Sequence, residues 1–428
     1  MGSAFEIPIP GIDVAGPAKI DGNRVNRFNV VLSDGGGIYM WRREGGVTVI
    51  RNTVTDGRGT RAGTPHASAM THGIYLDDDT TGVAVSGNVV HRAGNFGLLL
   101  HNTRGISVTG NTFAQNAEAQ VWLLDDSLGV ERNTALVFRD NVLIDTDGRP
   151  SIAVGSNERG YDFAAIGEID ANRYCAPYGE PFVRLSAPEL PAARRDTTLQ
   201  EWRALGHDGS SATCPFALAT FAETGRGPER VANGRFDTGI AGWNVFPGTG
   251  SIVRSTALGG SMQWGAGANA PGTDGNVSTA IGPVSAGQVF RVSWREYGAA
   301  GDARLRVFLM RNSTPWTIVT EVPRRFVSPS GGTFVQHLTA NATHADARIA
   351  IAGDAGGLPV VIDDVSVVPV TGRTLTQDER LKLATNPAST ARAVVLDAPR
   401  VDVRGTLHAA GSTVVVPPFG ALPLFPSP

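Results

Sequence analysis

Residues 85–113 read VSGNVVHRAGNFGLLLHNTRGISVTGNTF. The six-residue pattern apolar-x-x-Asn-x-apolar opens this stretch as VSGNVV and closes it as VTGNTF, placing Asn88 and Asn111 23 residues apart. The same pattern recurs as IDGNRV, VIRNTV, FRDNVL and IDANRY, with Asn23, Asn52, Asn141 and Asn172 in the equivalent place. Self-similarity at this period is the mark of a solenoid, in which each repeat is one coil that buries its apolar face only against its neighbours. Asparagines stacked at one bend can then hydrogen-bond from coil to coil as a ladder.

A second repeat runs in step: GIYMW from Gly37, GIYLD from Gly73, GLLLH from Gly97 and QVWLL from Gln120. Side chains alternate across a strand, so Ile74 and Leu76 face one way while Tyr75 and Asp77 face the other, giving each segment a buried and an exposed side. Stacking the coils about 4.8 Å apart puts Trp41, Asp77, His101 and Leu124 in one outward row. Tyr39, Tyr75, Leu99 and Trp122 form the row two residues earlier.

The composition agrees with a β architecture. The 428 residues include 53 Gly and 26 Pro, with 41% hydrophobic and 18% charged residues; this suits turn-rich sheets and is large enough for two or three cores. A net charge of -3 without like-charge blocks offers nothing for steering to nucleic acid or an anionic membrane, and no apolar run approaches the roughly 20 residues that span a bilayer. The two cysteines, Cys175 and Cys214, are too few for a Cys-rich zinc site; they are expected either to bridge neighbouring end coils or to remain buried thiols. There is no G-x-S-x-G, H-E-x-x-H, phosphate-loop or C-x-x-C motif, which sets aside several common active sites.

The Asn-marked repeat, with SDGGGIYMW and HGIYLDDD, resembles right-handed parallel β-helix proteins of the pectate-lyase-like superfamily over roughly residues 18–175. That resemblance implies an asparagine bend between the second and third sheets and a substrate groove for polysaccharide along the first sheet, which carries the GIYLD segments. The family usually has further coils and a cap before the first repeat seen here, so N-terminal coils are expected to be missing. TLQEWRALG, residues 198–206, predicts a short helix with a Thr198 and Glu201 capping box.

The β-helix is expected to occupy residues 1–220. From 228 to 370, short alternating segments between Gly, Pro and Ser turns predict a β-sandwich. NGRFDTGIAGWNVF at its start and PVVIDDVSVVPV at its end resemble jelly-roll carbohydrate-binding modules of the galactose-binding-like type, which implies a structural calcium at Asp237 or Asp363. Residues 372–428 resemble the small C-terminal antiparallel β domains of carbohydrate-active enzymes.

The outward rows supply the chemistry. Asp34, Asp77, Asp78 and His101 are the candidate catalytic groups, because carboxylates handle protons and stabilise an oxocarbenium-like centre. Tyr39, Trp41, Tyr75 and Trp122 are candidate sugar platforms in the groove, as are Trp243, Trp264 and Trp316 in the sandwich, although tryptophan in a sandwich is more often core. An acidic, aromatic groove favours hydrolysis of a neutral or modestly substituted glycan without a required cofactor. β-Elimination, with the acids holding calcium, is the competing chemistry. A non-catalytic adhesin is the alternative from another class. The whole reads as a secreted, monomeric, multidomain protein whose partner is a polysaccharide or oligosaccharide.

Overall fold

The computed structural model describes residues 17–31, 33–61, 69–126, 132–177, 181–190, 193–245, 251–255, 260–265, 275–297, 304–321, 325–326, 331–354 and 360–427. Two compact units divide the chain: residues 1–219 with 376–428, and residues 220–375.

The first unit is a solenoid of three parallel sheets. One stacks Ala18–Asp21, Val47–Ile50, Ala84–Ser86, Ser107–Thr109, Leu136–Arg139 and Gly167–Asp170; the next stacks Arg24–Asn26, Thr53–Thr55, Val89–His91, Thr112–Ala114, Val142–Ile144, Arg173–Cys175 and Ala212–Thr213. The sheet that carries the site stacks Gly35–Trp41, Thr71–Asp77, Phe96–His101, Ala119–Asp125, Ile152–Ser156 and Phe182–Ser186, and ends on the antiparallel Arg194–Thr198. Every coil therefore advances the chain by one strand in each sheet. Inward side chains of all three sheets, among them Ile74, Leu76, Val85, Val90, Leu98 and Phe113, form one continuous core.

The asparagine ladder sits at the bend between the first two of these sheets. Each side-chain amide donates to the Oδ1 of the next Asn: Asn23 to Asn52 (3.0 Å), Asn52 to Asn88 (2.9 Å), Asn88 to Asn111 (2.9 Å), Asn111 to Asn141 (3.0 Å) and Asn141 to Asn172 (3.1 Å). The backbone N–H of each donates to the same acceptor. The residue before each Asn has positive φ: Gly22, Arg51, Gly87, Gly110, Asp140 and Ala171, at 56–69°. That left-handed residue turns the corner and leaves inward backbone groups unpaired, and the ladder satisfies them in a place water does not reach. It ends where Asn172 donates its backbone N–H to Ser211 Oγ (2.8 Å) and its amide to Asp208 Oδ1 (3.2 Å).

Leu199–Ala204 is the helix anticipated from the capping box, with Thr198 and Glu201 hydrogen-bonded reciprocally. Cys175 and Cys214 are joined by a disulfide closing a separation of 39 residues. Replacing both by Ser is expected to cost the first unit about 2–4 kcal/mol, read as a lower urea midpoint of its unfolding transition.

The C-terminal segment forms small antiparallel sheets. Its four-stranded and two-stranded sheets belong to the solenoid unit. Leu381 and Phe425 pack with Ala114, Ile144, Cys175 and Cys214, and Arg380 Nη1 reaches Asp147 Oδ1 at 2.7 Å. Ala114, Ile144 and Cys175, on the sheet that opens with Arg24–Asn26, point outward and require this cover.

The second unit is an antiparallel sandwich. One sheet orders Ser251–Ser255, Ser261–Gly265, Val360–Thr374, Val289–Tyr297 and Gly332–Thr339; the other orders Asn244–Val245, Gly275–Val284, His344–Asp354, Arg304–Arg311 and Ile318–Glu321. The closing strand runs past residue 370 to Thr374 because Phe221–Arg226 pairs along it. Phe236, Trp243, Trp294, Leu309 and Ile351 are among the residues filling the space between the sheets. Among the described residues, no helix is long and apolar enough to cross a membrane.

Candidate functional site

The site is built on three consecutive coils of the sheet that opens with Gly35–Trp41. Parallel pairing aligns Trp41 with Asp77, and His101 with Leu124. In the preceding row it aligns Tyr39, Tyr75, Leu99 and Trp122. Both outward rows therefore form as the repeat spacing predicts. The exposure of this face differs from expectation: Thr71–Asp77 is buried throughout. Large outward side chains cover one another. Tyr39 meets Tyr75 edge-on at 5.0 Å, His72 meets Tyr75 at 4.9 Å and stacks on Phe96 at 5.5 Å, and Phe96 packs on Trp122 at 4.5 Å between ring centroids.

At the C-terminal ends of these strands His101 lies between carboxylates. Its Nδ1 is 2.8 Å from Asp77 Oδ1 and 3.6 Å from Asp78 Oδ1, and its Nε2 is 3.1 Å from Asp126 Oδ2. Burial alone lowers the imidazole pKa, but the hydrogen bonds and charges of Asp77 and Asp126 outweigh it and raise His101 to about 9. At neutral pH it is an imidazolium.

Asp77 is held from several sides. Tyr39 donates its phenol O–H to Asp77 Oδ2 at 2.7 Å, and the backbone N–H of Asp78 donates to Oδ1 at 3.0 Å. Burial pushes this carboxyl up, yet hydrogen bonds from His101, Tyr39, Tyr75 and that backbone group hold it below the usual carboxylate range. The same contacts keep Tyr39 and Tyr75 protonated: burial first, then the adjacent Asp77 for Tyr39, raises both phenols.

Asn102 sets the spacing of the other two acids. It is fully buried, at φ 49°, a left-handed conformation that Asn tolerates better than most residues. Its amide Nδ2 donates to Asp78 Oδ1 (2.8 Å) and to Asp126 Oδ1 (2.9 Å), while its Oδ1 accepts from the backbone N–H of Asp126 (2.9 Å). One amide nitrogen with two N–H donors thus holds both carboxylates close together. The Asp78 side chain is 25% exposed against 11–13% for Asp126, Asp77 and His101, so the cluster opens to solvent on its Asp78 side. Asp77, Asp78 and His101 also offer atoms within 4.8 Å of one another, a spacing that could hold a cation.

Not every candidate joins this cluster. Asp34 is an exposed residue at φ 58° in the turn before its strand, with its charge acting on Tyr39 and Tyr75. Trp41 is exposed and carries the Arg42 guanidinium 4.7 Å from its ring centroid. Tyr75, at 4% exposure, packs and hydrogen-bonds and presents no face to a ligand; Trp122 is half-buried against Phe96.

In the sandwich, Trp243 is a core residue, its Nε1–H donating to the Asn233 carbonyl at 2.7 Å. Trp264 lies on Ser261–Gly265, and its side chain is outside the described residues. Asp237 is exposed and pairs with Arg235 at 3.4 Å, whereas Asp363 is buried and accepts from the backbone N–H of Asp364 at 2.8 Å. Among the described residues neither acid belongs to a group of three or more potential metal ligands.

Sequence reasoning missed Asp126 and Asn102. The signal was present as LDDD, LHN and LDDS, polar residues directly after the strand in three successive coils.

Residues 10–155 match the family described as "Right handed beta helix region", and the parallel three-sheet stack gives the same architecture. The first unit therefore has the right-handed parallel β-helix fold, and the second is an antiparallel sandwich. No curated protein matches it. Among solved structures, it is similar to the enzymatically active domain of tailspike protein 4 of bacteriophage CBA120, with 11% identity and a TM-score of 0.28 over 82% of this chain and 48% of that one. The N-terminal cellulose-binding domain of a β-1,4-glucanase from Cellulomonas fimi is 17% identical, covering 33% of this chain and 95% of that one at a TM-score of 0.26. A xylan-binding domain from Paenibacillus barcinonensis is 12% identical over 35% of this chain and 99% of that one, with a TM-score of 0.27.

The electrostatics give a pH expectation. His101 has a folded pKa raised above its unfolded value of about 6.5, so its stabilisation is complete below that value and is lost as pH rises through about 9. Thermal midpoints should therefore fall more for the wild type than for His101→Gln between pH 6 and pH 10. Equal losses in both proteins would mean that His101 carries no excess proton.

Proposed function

We propose that this protein hydrolyses glycosidic bonds in a polysaccharide, using Asp126 and Asp78 as its two carboxyl groups. The observation that carries this reading is that both carboxylates accept from the one Asn102 amide nitrogen, at 2.8 and 2.9 Å, which keeps them close together, as the carboxyl pair of a retaining glycosidase is. Asp126, beside the imidazolium, is the nucleophile: its oxygen attacks the anomeric carbon as Asp78 protonates the departing glycosidic oxygen. Water then attacks the glycosyl ester, with Asp78 taking its proton. Asp77 and Tyr39 are positioning residues, because they reach the reaction only through His101. Trp41 provides an apolar face for a sugar ring on the exposed edge of the same sheet.

Net negative charge around one imidazolium argues for a neutral glycan over a uronate, whose carboxylate these acids would repel. The disulfide suits an oxidising, extracellular setting. The test is reducing-end release from a panel of neutral and acidic polysaccharides, followed in parallel with formation of unsaturated uronate. Reducing ends without unsaturated product are expected. Unsaturated product from an acidic polymer would replace hydrolysis with elimination.

A further inference from the structure

The bend that follows the strands of the site repeats from coil to coil. Parallel bridges join Thr81 to Arg104 and Arg104 to Thr134, so the residues one step earlier, Thr80, Thr103 and Asn133, are equivalent. All three are buried. Thr80 uses its hydroxyl locally, donating to the Asp77 carbonyl at the end of its own strand (2.5 Å). The coil that supplies Asp126 has an asparagine at this position instead.

Every hydrogen-bonding site of the Asn133 amide is occupied. Its Nδ2 donates to the Leu124 carbonyl (2.9 Å) and to the Leu100 carbonyl of the preceding coil (3.2 Å). Its Oδ1 accepts from the backbone N–H (3.1 Å) and the hydroxyl (2.7 Å) of Thr103. A side-chain amide has two N–H donors and two acceptor lone pairs, so none is left over. The backbone N–H of Asn133 donates to Oδ1 of the buried Asp125 at 2.7 Å.

These partners bracket the site. Leu100 and Thr103 stand directly before and after His101 and Asn102, and Leu124 and Asp125 directly precede Asp126. The Leu124 carbonyl also accepts from the backbone N–H of Asn102 (3.0 Å). His101 and Asn102 therefore meet Asp126 across two chain segments that one buried side chain ties together. A threonine, with one hydroxyl on a shorter stem, cannot span both strand ends as the amide does.

We propose that Asn133 is a positioning residue of the glycosidase site: it fixes the strand end carrying His101 and Asn102 against the one carrying Asp126, and so sets where the two carboxylates stand. Small displacements matter here, because a misplacement of about 1 Å can cost about 10²-fold in rate. The effect on catalysis rests on the glycosidase reading above. The bracket itself rests only on the hydrogen bonds.

The experiment compares full-length wild type, Asn133→Thr and Asn133→Ala. Threonine stands at this bend in the two preceding coils, so Asn133→Thr should have the higher thermal midpoint of the two variants and be folded at the assay temperature. On a polysaccharide that the wild type cleaves, both variants are expected to lose about tenfold or more in kcat with KM within about twofold, since no sugar contact is removed. Backbone hydrogen exchange read by mass spectrometry should be about tenfold faster or more in segments 99–104 and 121–126, with the asparagine-ladder segment 108–114 unchanged. Equal kcat in wild type and Asn133→Thr, unchanged exchange at the two strand ends, or faster exchange that includes the ladder would overturn the proposal. Faster exchange confined to the strand ends, with no cleavage of any polymer by the wild type, would leave the bracket standing and remove the glycosidase.

Discussion

Asp126→Ala is expected to abolish most cleavage, lowering kcat by about 10³-fold or more, in the upper part of the range for losing a group that acts directly in the transition state. Asp126 lies against the His101 imidazolium at 3.1 Å and accepts from Asn102 at 2.9 Å, so its carboxyl group is held in place. Added azide should restore part of the turnover of this variant, because a small anion can enter the space left by the carboxylate and attack the same anomeric carbon. Azide should do nothing for Asp78→Ala on a substrate whose leaving group needs protonation. Equal rates in wild type and Asp126→Ala would remove this acid from the mechanism.

The second large effect is on stability. Asn111→Ala is expected to cost about 4 kcal/mol in urea unfolding, at the high end for single substitutions. The deleted amide leaves the buried backbone N–H of Asn88 without its acceptor and removes one hydrogen bond each from the Asn88 amide, the Val85 carbonyl and Asn141 Oδ1, although the Asn88 amide keeps the Val49 carbonyl and Asn141 Oδ1 keeps the backbone N–H of residue 111. Each orphaned buried group costs about 1–3 kcal/mol, partly recovered by local relaxation. Asn23→Ala, at the partly exposed end of the ladder, should cost about 1 kcal/mol, since water can replace what is lost. Equal costs at Asn23 and Asn111 would show that the ladder contributes no more in the core than at its end.

The ladder also explains what could be read without a structure. A solenoid asks the same question of its sequence at every turn, and Asn at one bend is the answer that satisfies backbone groups in adjacent coils together. Six Asn therefore marked the coils, and the spacing from them to GIYMW, GIYLD and GLLLH gave the register that brings Asp77 beside His101. Burial of the outward face was less legible. Period-two alternation separates two faces but does not say that Tyr39, Tyr75, His72 and Phe96 will cover one another.

Asp126 and Asn102 were missed for a different reason. Both follow the last residue that the strand repeat aligns, where the chain bends and alternation no longer predicts direction. Asn102 takes a left-handed conformation there, and that turn aims its amide at two acids from neighbouring coils. In the sandwich, composition could not distinguish a core tryptophan from an exposed one: Trp243 fills the interior, whereas Trp316 stands on a turn at positive φ.

The central claim is that the two carboxylates sharing the Asn102 amide cut a glycosidic bond with retention. Proton NMR of the first products released from the polysaccharide panel reads this directly. New reducing ends that initially keep the anomeric configuration of the substrate are the predicted result; inverted anomers, unsaturated sugar signals, or no product from any polymer would contradict it.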